Sequence, residues 1–348
     1  MIIANKRTLK SLVAMLALFT AMPLATPAIS ASSAAGIAIA PVYPENQRAK
    51  TGTFNLRMTP NLKQTIYLKV VNFSDEKKDV TITATTAYTS DAGHISIDSV
   101  DVPEENNLKV KFHTLVKKAD REKTVTLAPN SATEVPFTLK MPKQMFDGLV
   151  MGGFQVQPVK PNDPLKHRGL GFQHSFSYNM PIVLKEDNVE AVPKLTLGDI
   201  KPGRVGNEIK VKSTIKNFKP SLITGLTIDS KITTKKSDKV LGITHAKGMS
   251  VAPNSSFKFT NNWTNKKIYP GKYHYKAIAK DDLGHKWLLE KDFKISIPDA
   301  IVHNSNYDPM YKYYIFAAIL LLLLIMALWI WLYTKRKKKK EEESNEQQ

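Results

Sequence analysis

An uncharged apolar run that ends in a basic cluster constrains this chain more than any other feature. Residues Tyr313 to Tyr333 read YYIFAAILLLLLIMALWIWLY, 21 positions without a charge, and Lys335 to Lys340 are six consecutive basic residues. About 20 apolar residues cross the hydrocarbon core of a bilayer, so residues 313–333 are expected to form a transmembrane helix. Tyr311, Tyr313, Tyr314, Trp329, Trp331 and Tyr333 stand at its ends, where amphipathic rings favour the headgroup level. Lys and Arg stay on the cytoplasmic side. That puts residues 334–348 inside as a short basic tail and the bulk of the chain outside. A buried core helix is the competing reading of the run, and the adjoining basic stop argues against it.

The other end reads as a secretory leader. Lys6, Arg7 and Lys10 precede the apolar stretch from Leu12 to Phe19, and small residues follow as far as Ala35. A signal peptide is expected over residues 1–31, with several acceptable cut points between Ala28 and Ala35. No LPxTG-like sorting sequence precedes the apolar run, so the helix itself is the expected anchor in the cell membrane. The chain has no cysteine, although an exported protein is free to form disulfides. A Gram-positive bacterial surface therefore fits better than a eukaryotic ectodomain. The formal charge is +19; nine of the 50 basic residues and four of the 31 acidic ones lie in the leader and tail, which leaves about +14 for the segment between. A field of that sign draws the ectodomain toward teichoic acids and phospholipid headgroups and weakens with salt. An evenly spread, solvated surface has the same net charge. A nucleic-acid partner is not expected at this location.

Between leader and membrane run the sequence alternates with a period of two. Ile66, Leu68 and Val70 share a face, as do Val80, Ile82 and Ala84, then Val135, Phe137 and Leu139. The pattern returns at Ile209, Val211 and Ile215, at Phe257 and Phe259, and at Phe293, Ile295 and Ile297. Short alternating runs separated by Pro, Gly and Asn turns predict antiparallel strands. The expected class is all-β: two tandem immunoglobulin-like sandwiches plus the C-terminal transmembrane helix.

An internal repeat supports two sandwiches. Val71-Asn72-Phe73 matches Lys216-Asn217-Phe218 at a strand end, and Ala128-Pro129-Asn130-Ser131 matches Ala252-Pro253-Asn254-Ser255 at a turn. Gly148 follows Ala128 by 20 residues and Gly271 follows Ala252 by 19. Each glycine enters an apolar strand expected to pair with the last strand of its domain. The shared spacing carries more weight than the four-residue matches. It places the first sandwich at 34–187 and the second at 193–298, with the junction near 188–193. The linker-like loop at 158–171 is the alternative junction.

No chemistry-bearing constellation stands out. Eight histidines are scattered without metal-ligand spacing, and no nucleophile elbow, P-loop or dinucleotide glycine pattern occurs. A hydrolase needs an acid, a base or a metal, and none is arranged here, so the reading is a non-enzyme with no cofactor or metal. The stretch FDGLVMGG admits two readings. Gly152 and Gly153 would let a ligand backbone approach, with Asp147, Gln155 and Gln157 as polar contacts to a partner. Alternatively, Asp147-Gly148 is a turn and the glycine pair marks a bulge or tight packing between layers. Asn72 and Asn217 are expected to bond backbone at strand ends.

The mature start GIAIAPVYPENQ, the strand YLKVVNFS, the turn LAPNS and above all MPKQMFDGLVMGGFQV resemble the first domain of WxL-interacting proteins. SVAPNSSFKF, YPGKYHYKAIA and the Trp287 strand resemble the second domain. The resemblance covers essentially the whole chain. It implies a membrane-anchored surface adaptor whose first domain binds peptidoglycan and whose second binds a host extracellular-matrix protein. It also implies WxL-domain surface proteins as partners. The alternatives are an extracellular-facing subunit or chaperone of a membrane assembly, and a stand-alone adhesin.

Overall fold

The computed structural model describes residues 36–102, 108–159, 176–186, 191–305 and 310–345. The signal peptide expected over 1–31 and most of the loop at 158–171 lie outside the described residues.

In the first sandwich, β1 (Ile37–Val42), β3 (Lys63–Asn72) and β8 (Ser131–Lys140) form one sheet in that order. The second sheet runs β2 (Phe54–Arg57), β10 (Tyr178–Lys185), β9 (Leu149–Pro158), β4 (Lys78–Thr86), β7 (Glu122–Leu127). The alternation explains the packing: in β3, Ile66, Leu68 and Val70 are buried while Thr65, Tyr67 and Lys69 face solvent. They join Phe54, Leu56, Ile82, Phe137 and Phe154 in one core, where Phe137 stacks on Phe154 at 4.0 Å. Full burial contributes about 1.5–3 kcal/mol for each such side chain, and a one-residue slip would turn the set to solvent.

The second sandwich repeats the plan. Here β11 (Leu195–Val205), β12 (Glu208–Asn217) and β15 (Ser255–Asn262) form the smaller sheet. Facing it are β14 (Val240–Val251), β13 (Ile223–Thr234), β16 (Gly271–Lys280) and β17 (Lys286–Ile295), in that order. The strands led by the two repeat glycines pair as expected, β9 with β10 and β16 with β17. The first sandwich adds β2, which lies parallel to β10.

One buried clamp recurs in both units. The Asn72 amide donates to the carbonyls of Glu76 (2.8 Å) and Ala128 (3.0 Å), and its oxygen accepts the Ser74 amide. The Asn217 amide donates to Ser221 (2.8 Å) and Ala252 (3.3 Å), and its oxygen accepts the Lys219 amide. Each asparagine ties the end of a central strand to the Ala-Pro-Asn-Ser turn. That turn is tight because Asn130 and Asn254 sit at φ of 48° and 51°, a region asparagine tolerates.

The sandwiches interlock. A small hairpin of the first unit, β5 (Tyr88–Thr89) with β6 (Ile95–Ser96), reaches the second unit's clamp turn. Thr89 Oγ1 accepts the Ala252 amide at 2.9 Å and bonds the Ser255 hydroxyl. Asp91 accepts the Lys258 amide, and the Ser250 amide donates to Gly93 O at 2.8 Å. Gly93 sits at φ +77°, and a Cβ there would lie 2.6 Å from Met249 Sδ, so glycine permits the contact. Ala87, Ile97 and Ala252 form a small apolar core beneath it.

Chain beyond the second sandwich departs from the expected alternation. Ile297 does not extend β17 but opens a helix, α2 (Ile297–Ser305; the short α1 is Phe112–Leu115), and is exposed. The start is a capping arrangement, with the Asp299 amide donating to Ser296 Oγ and the Ser296 hydroxyl donating to Asp299. Ala300 packs into the second core, and buried Asn304 both accepts the Ile268 amide and donates to the Ile268 carbonyl. Helix α3 (Tyr311–Asn345) follows, and the most apolar 18 residues within Tyr313–Arg336 have a mean hydropathy of 2.9, with none of that stretch buried. At 1.5 Å per residue the length of Tyr313–Arg336, about 36 Å, exceeds the roughly 30 Å of a bilayer core.

Replacing Asn72 or Asn217 by alanine strands buried carbonyls and is expected to destabilise the soluble part by about 1–3 kcal/mol each. Chemical denaturation checks this, and an unchanged midpoint for both variants would contradict the clamp's role.

Candidate functional site

The FDGLVMGG stretch forms the start of β9, and its residues separate into three environments. Gly148 is at φ +68°, and a Cβ there would meet Pro220 O of the second sandwich at 2.3 Å. The Leu149 amide donates to the same Pro220 O at 2.9 Å, so this turn is a contact between the units. Gly152 is buried under α1, where a Cβ would lie 2.4 Å from the Phe112 side chain. Gly153 is buried on the opposite face, with Met180 O at 2.5 Å and Ile97 Cδ1 at 2.7 Å from the same test position. The glycine pair thus lets a helix and the docking hairpin press on the strand from both sides.

Gln155 and Gln157 lie farther along β9 on the outward face, the first half-buried and the second exposed. Register places Gln155 between Thr83 and Asn179, and Gln157 beside Thr81, whose hydroxyl is 3.2 Å from that of Thr124. This is a flat patch of amides and hydroxyls, edged by exposed Glu122 across from Thr83 and by Asp79. Asp147 is not part of it. It is exposed at the rim of a cleft of about 570 Å³ between the sandwiches, lined by Phe146, Met151, Phe218, Pro220 and Pro253 among others. The structure therefore brings Gln155 and Gln157 together, buries Gly152 and Gly153 beside them, and sets Asp147 apart.

One buried polar pair in the second sandwich serves the fold. Ser213 Oγ lies 3.2 Å from the Tyr275 hydroxyl, and burial pushes that phenol up to about 12, so it stays neutral. Among the described residues no three His, Cys, Asp or Glu side chains gather to hold a metal ion. The docking hairpin and α2 are the functional elements that sequence reasoning missed. Asp91-Ala92-Gly93 and Ser296-x-x-Asp299 were the available signals, a turn and a capping box.

The fold and these surfaces define a two-sandwich binding protein that continues into one long apolar helix. Residues 38–158 match the family profile described as WxL Interacting Protein, peptidoglycan binding domain, and residues 167–305 match its host binding domain. The chain belongs to the WxL-interacting protein family, surface proteins built from peptidoglycan-binding and host-binding domains. The host-binding match begins before β10, although that strand pairs with β9 and β2 in the first sandwich. No curated protein matches the chain. Among solved structures, the chaperone–tip adhesin complex of CFA/I fimbriae biogenesis aligns at 14% identity and TM-score 0.34, covering 73% of this chain and 98% of that one. The E. coli chaperone DraB aligns at 15% identity and TM-score 0.29, covering 75% and 95%. A PapD-like domain of human CEP192 aligns at 11% and 0.26, covering 45% and 88%.

Gly152→Ala drives a methyl into Phe112 and is expected to cost about 1–3 kcal/mol by overpacking. A melting temperature equal to the parent's would show that α1 yields freely. A second expectation concerns pH. Burial lowers the pKa of His113 below its usual 6.5, and the charges of Arg121 and Lys111 add to this; burial also lowers His303. Both imidazoles stay neutral in the fold yet protonate when unfolded. Their contribution is thus complete above the unfolded value and is lost as pH falls toward the lowered folded ones. The melting temperature should drop between about pH 7 and about pH 5, and less so in His113→Gln. A rise over that interval would contradict the assignment.

Proposed function

We propose that this protein is a cell-surface adaptor, anchored in the membrane by α3, whose ectodomain links WxL-domain proteins to peptidoglycan. The carrying observation is the pair of adjoining family matches, followed by an apolar helix whose most apolar stretch no described residue buries. An uncovered apolar helix of this length needs lipid. The basic run after it favours a cytoplasmic tail and an outer ectodomain, and the absence of cysteine from an exported chain favours a Gram-positive cell. Domain limits of 34–187 and 193–298 fit this reading, with α2 as a further piece of the second unit. The WxL-domain partner is assigned to the outward face of the first sandwich at Gln155 and Gln157. Buried Gly152 and Gly153 hold that strand in place, and Asp147 offers a separate contact at the cleft. A host extracellular-matrix protein is the proposed partner of the second sandwich. Teichoic acid adds a salt-sensitive attraction for the positive ectodomain.

The test is binding of a co-encoded WxL-domain protein to the intact ectodomain by calorimetry. Gln155→Ala with Gln157→Ala is expected to weaken it about tenfold, or ~1.4 kcal/mol, with the melting temperature unchanged. Unaltered affinity would remove this face. Absence of any association with the parent protein would remove the adaptor reading.

A further inference from the structure

The two ends of the second sandwich differ. One end meets the first sandwich through the Ala252 turn and Pro220. The other end is where the chain leaves for α3. Asn304, one residue before the end of α2, holds the 263–270 loop through both backbone groups of Ile268. Only four residues of sequence separate Ser305 from Met310. Fully extended, they reach at most about 18 Å. The end that carries α2 is therefore tied close to the first turn of α3, where Tyr313 and Tyr314 mark the headgroup level.

That end is basic. The β13–β14 turn contributes exposed Lys236 and Lys239, the 263–270 loop contributes Lys266, and the paired strand ends of β16 and β17 contribute Lys272 and Lys294. The Lys235 amide donates to Lys272 O, which brings the turn against the strand ends. None of the five named lysines forms an ion pair with another described residue. Of the acids at this end, Asp292 pairs with Lys235, Glu208 pairs with Lys210 and Asp299 bonds Ser296; Asp238 in the β13–β14 turn is exposed, and the lysines outnumber it. Tyr269 is exposed beside Lys266. Unpaired cations around an exposed ring, tethered near a bilayer, complement anionic headgroups by charge.

We propose that this end of the second sandwich docks on anionic phospholipid headgroups, and so holds the ectodomain upright on its own membrane. The inference rests on α3 being a membrane anchor. Because the tether keeps the basic end near the surface, even modest contacts hold it there. Each lysine contributes roughly fivefold to the ratio of docked to free ectodomain, so Lys236→Gln with Lys239→Gln and Lys266→Gln should lower it roughly a hundredfold.

The experiment uses the full chain in nanodiscs of neutral phosphatidylcholine, with or without phosphatidylglycerol. The chain has no cysteine, so Ser237→Cys gives a single fluorophore site at the turn, and Glu134→Cys gives a control site on the first sandwich. Nitroxide-headgroup lipid is the quencher. Strong quenching at position 237 in anionic discs is expected, lost in neutral discs, in high salt and in the triple lysine variant, with position 134 dark to quencher throughout. Quenching that ignores lipid charge, or is absent in every disc, overturns the proposal while the anchor stands. A chain that fails to co-purify with discs overturns the anchor and the proposal together. Position-237 protection by soluble polyglycerol phosphate, with no response to lipid charge, assigns the lysines to a wall polymer and likewise overturns it.

Discussion

Thr89 is the keystone of the ectodomain. Its hydroxyl accepts the amide of Ala252 and bonds Ser255, both in the turn that the Asn217 clamp holds. The contact is buried, with Thr89 and Ser255 almost wholly removed from water. A buried hydroxyl left without partners costs about 1–3 kcal/mol, so the two units gain most when seated together. The clamp therefore closes its own sandwich and also presents a rigid amide to the neighbouring one. Gly93 and Gly148 flank it as two close approaches, to Met249 and to Pro220, where a larger residue would hold the units apart.

Seated this way, the second sandwich becomes a spacer with a defined top and bottom. Its clamp turn faces the first sandwich, and its opposite end carries α2 and leads into α3. The outward face of β9, with Gln155 and Gln157, then stands on the unit remote from the helix. An adaptor that reaches for wall-bound partners gains from a stiff spacer, because little conformational freedom is lost when the partner binds. The family's division into a peptidoglycan-binding and a host-binding domain fits one post carrying two kinds of surface.

Much of this was legible in the residues, for local reasons. Ile66, Leu68 and Val70 declare a strand because the period of two is written in adjacent positions, and Ala128 and Ala252 declare a repeat because turn and spacing recur together. The apolar run likewise needs no tertiary information. The hairpin was not legible: β5 and β6 are two residues each, too short for any period, and their binding energy lies in contacts about 160 residues away in sequence. Helix α2 hid because Ile297 continues the alternation of Phe293 and Ile295, although Ser296 and Asp299 signalled a cap. Gly152 and Gly153 carried two readings, since only the fold reveals that Phe112 and Ile97 come to rest on them.

The interlock is tested most directly by a distance across it. In the cysteine-free chain, Glu134→Cys and Lys247→Cys place one spin label on each sandwich, at exposed strand positions. Pulsed dipolar spectroscopy should return a single narrow distance in the parent ectodomain. Thr89→Val should broaden it while both sandwiches remain folded by circular dichroism. A broad distribution in the parent, or a narrow one unchanged by Thr89→Val, would contradict a rigid post held by that hydroxyl.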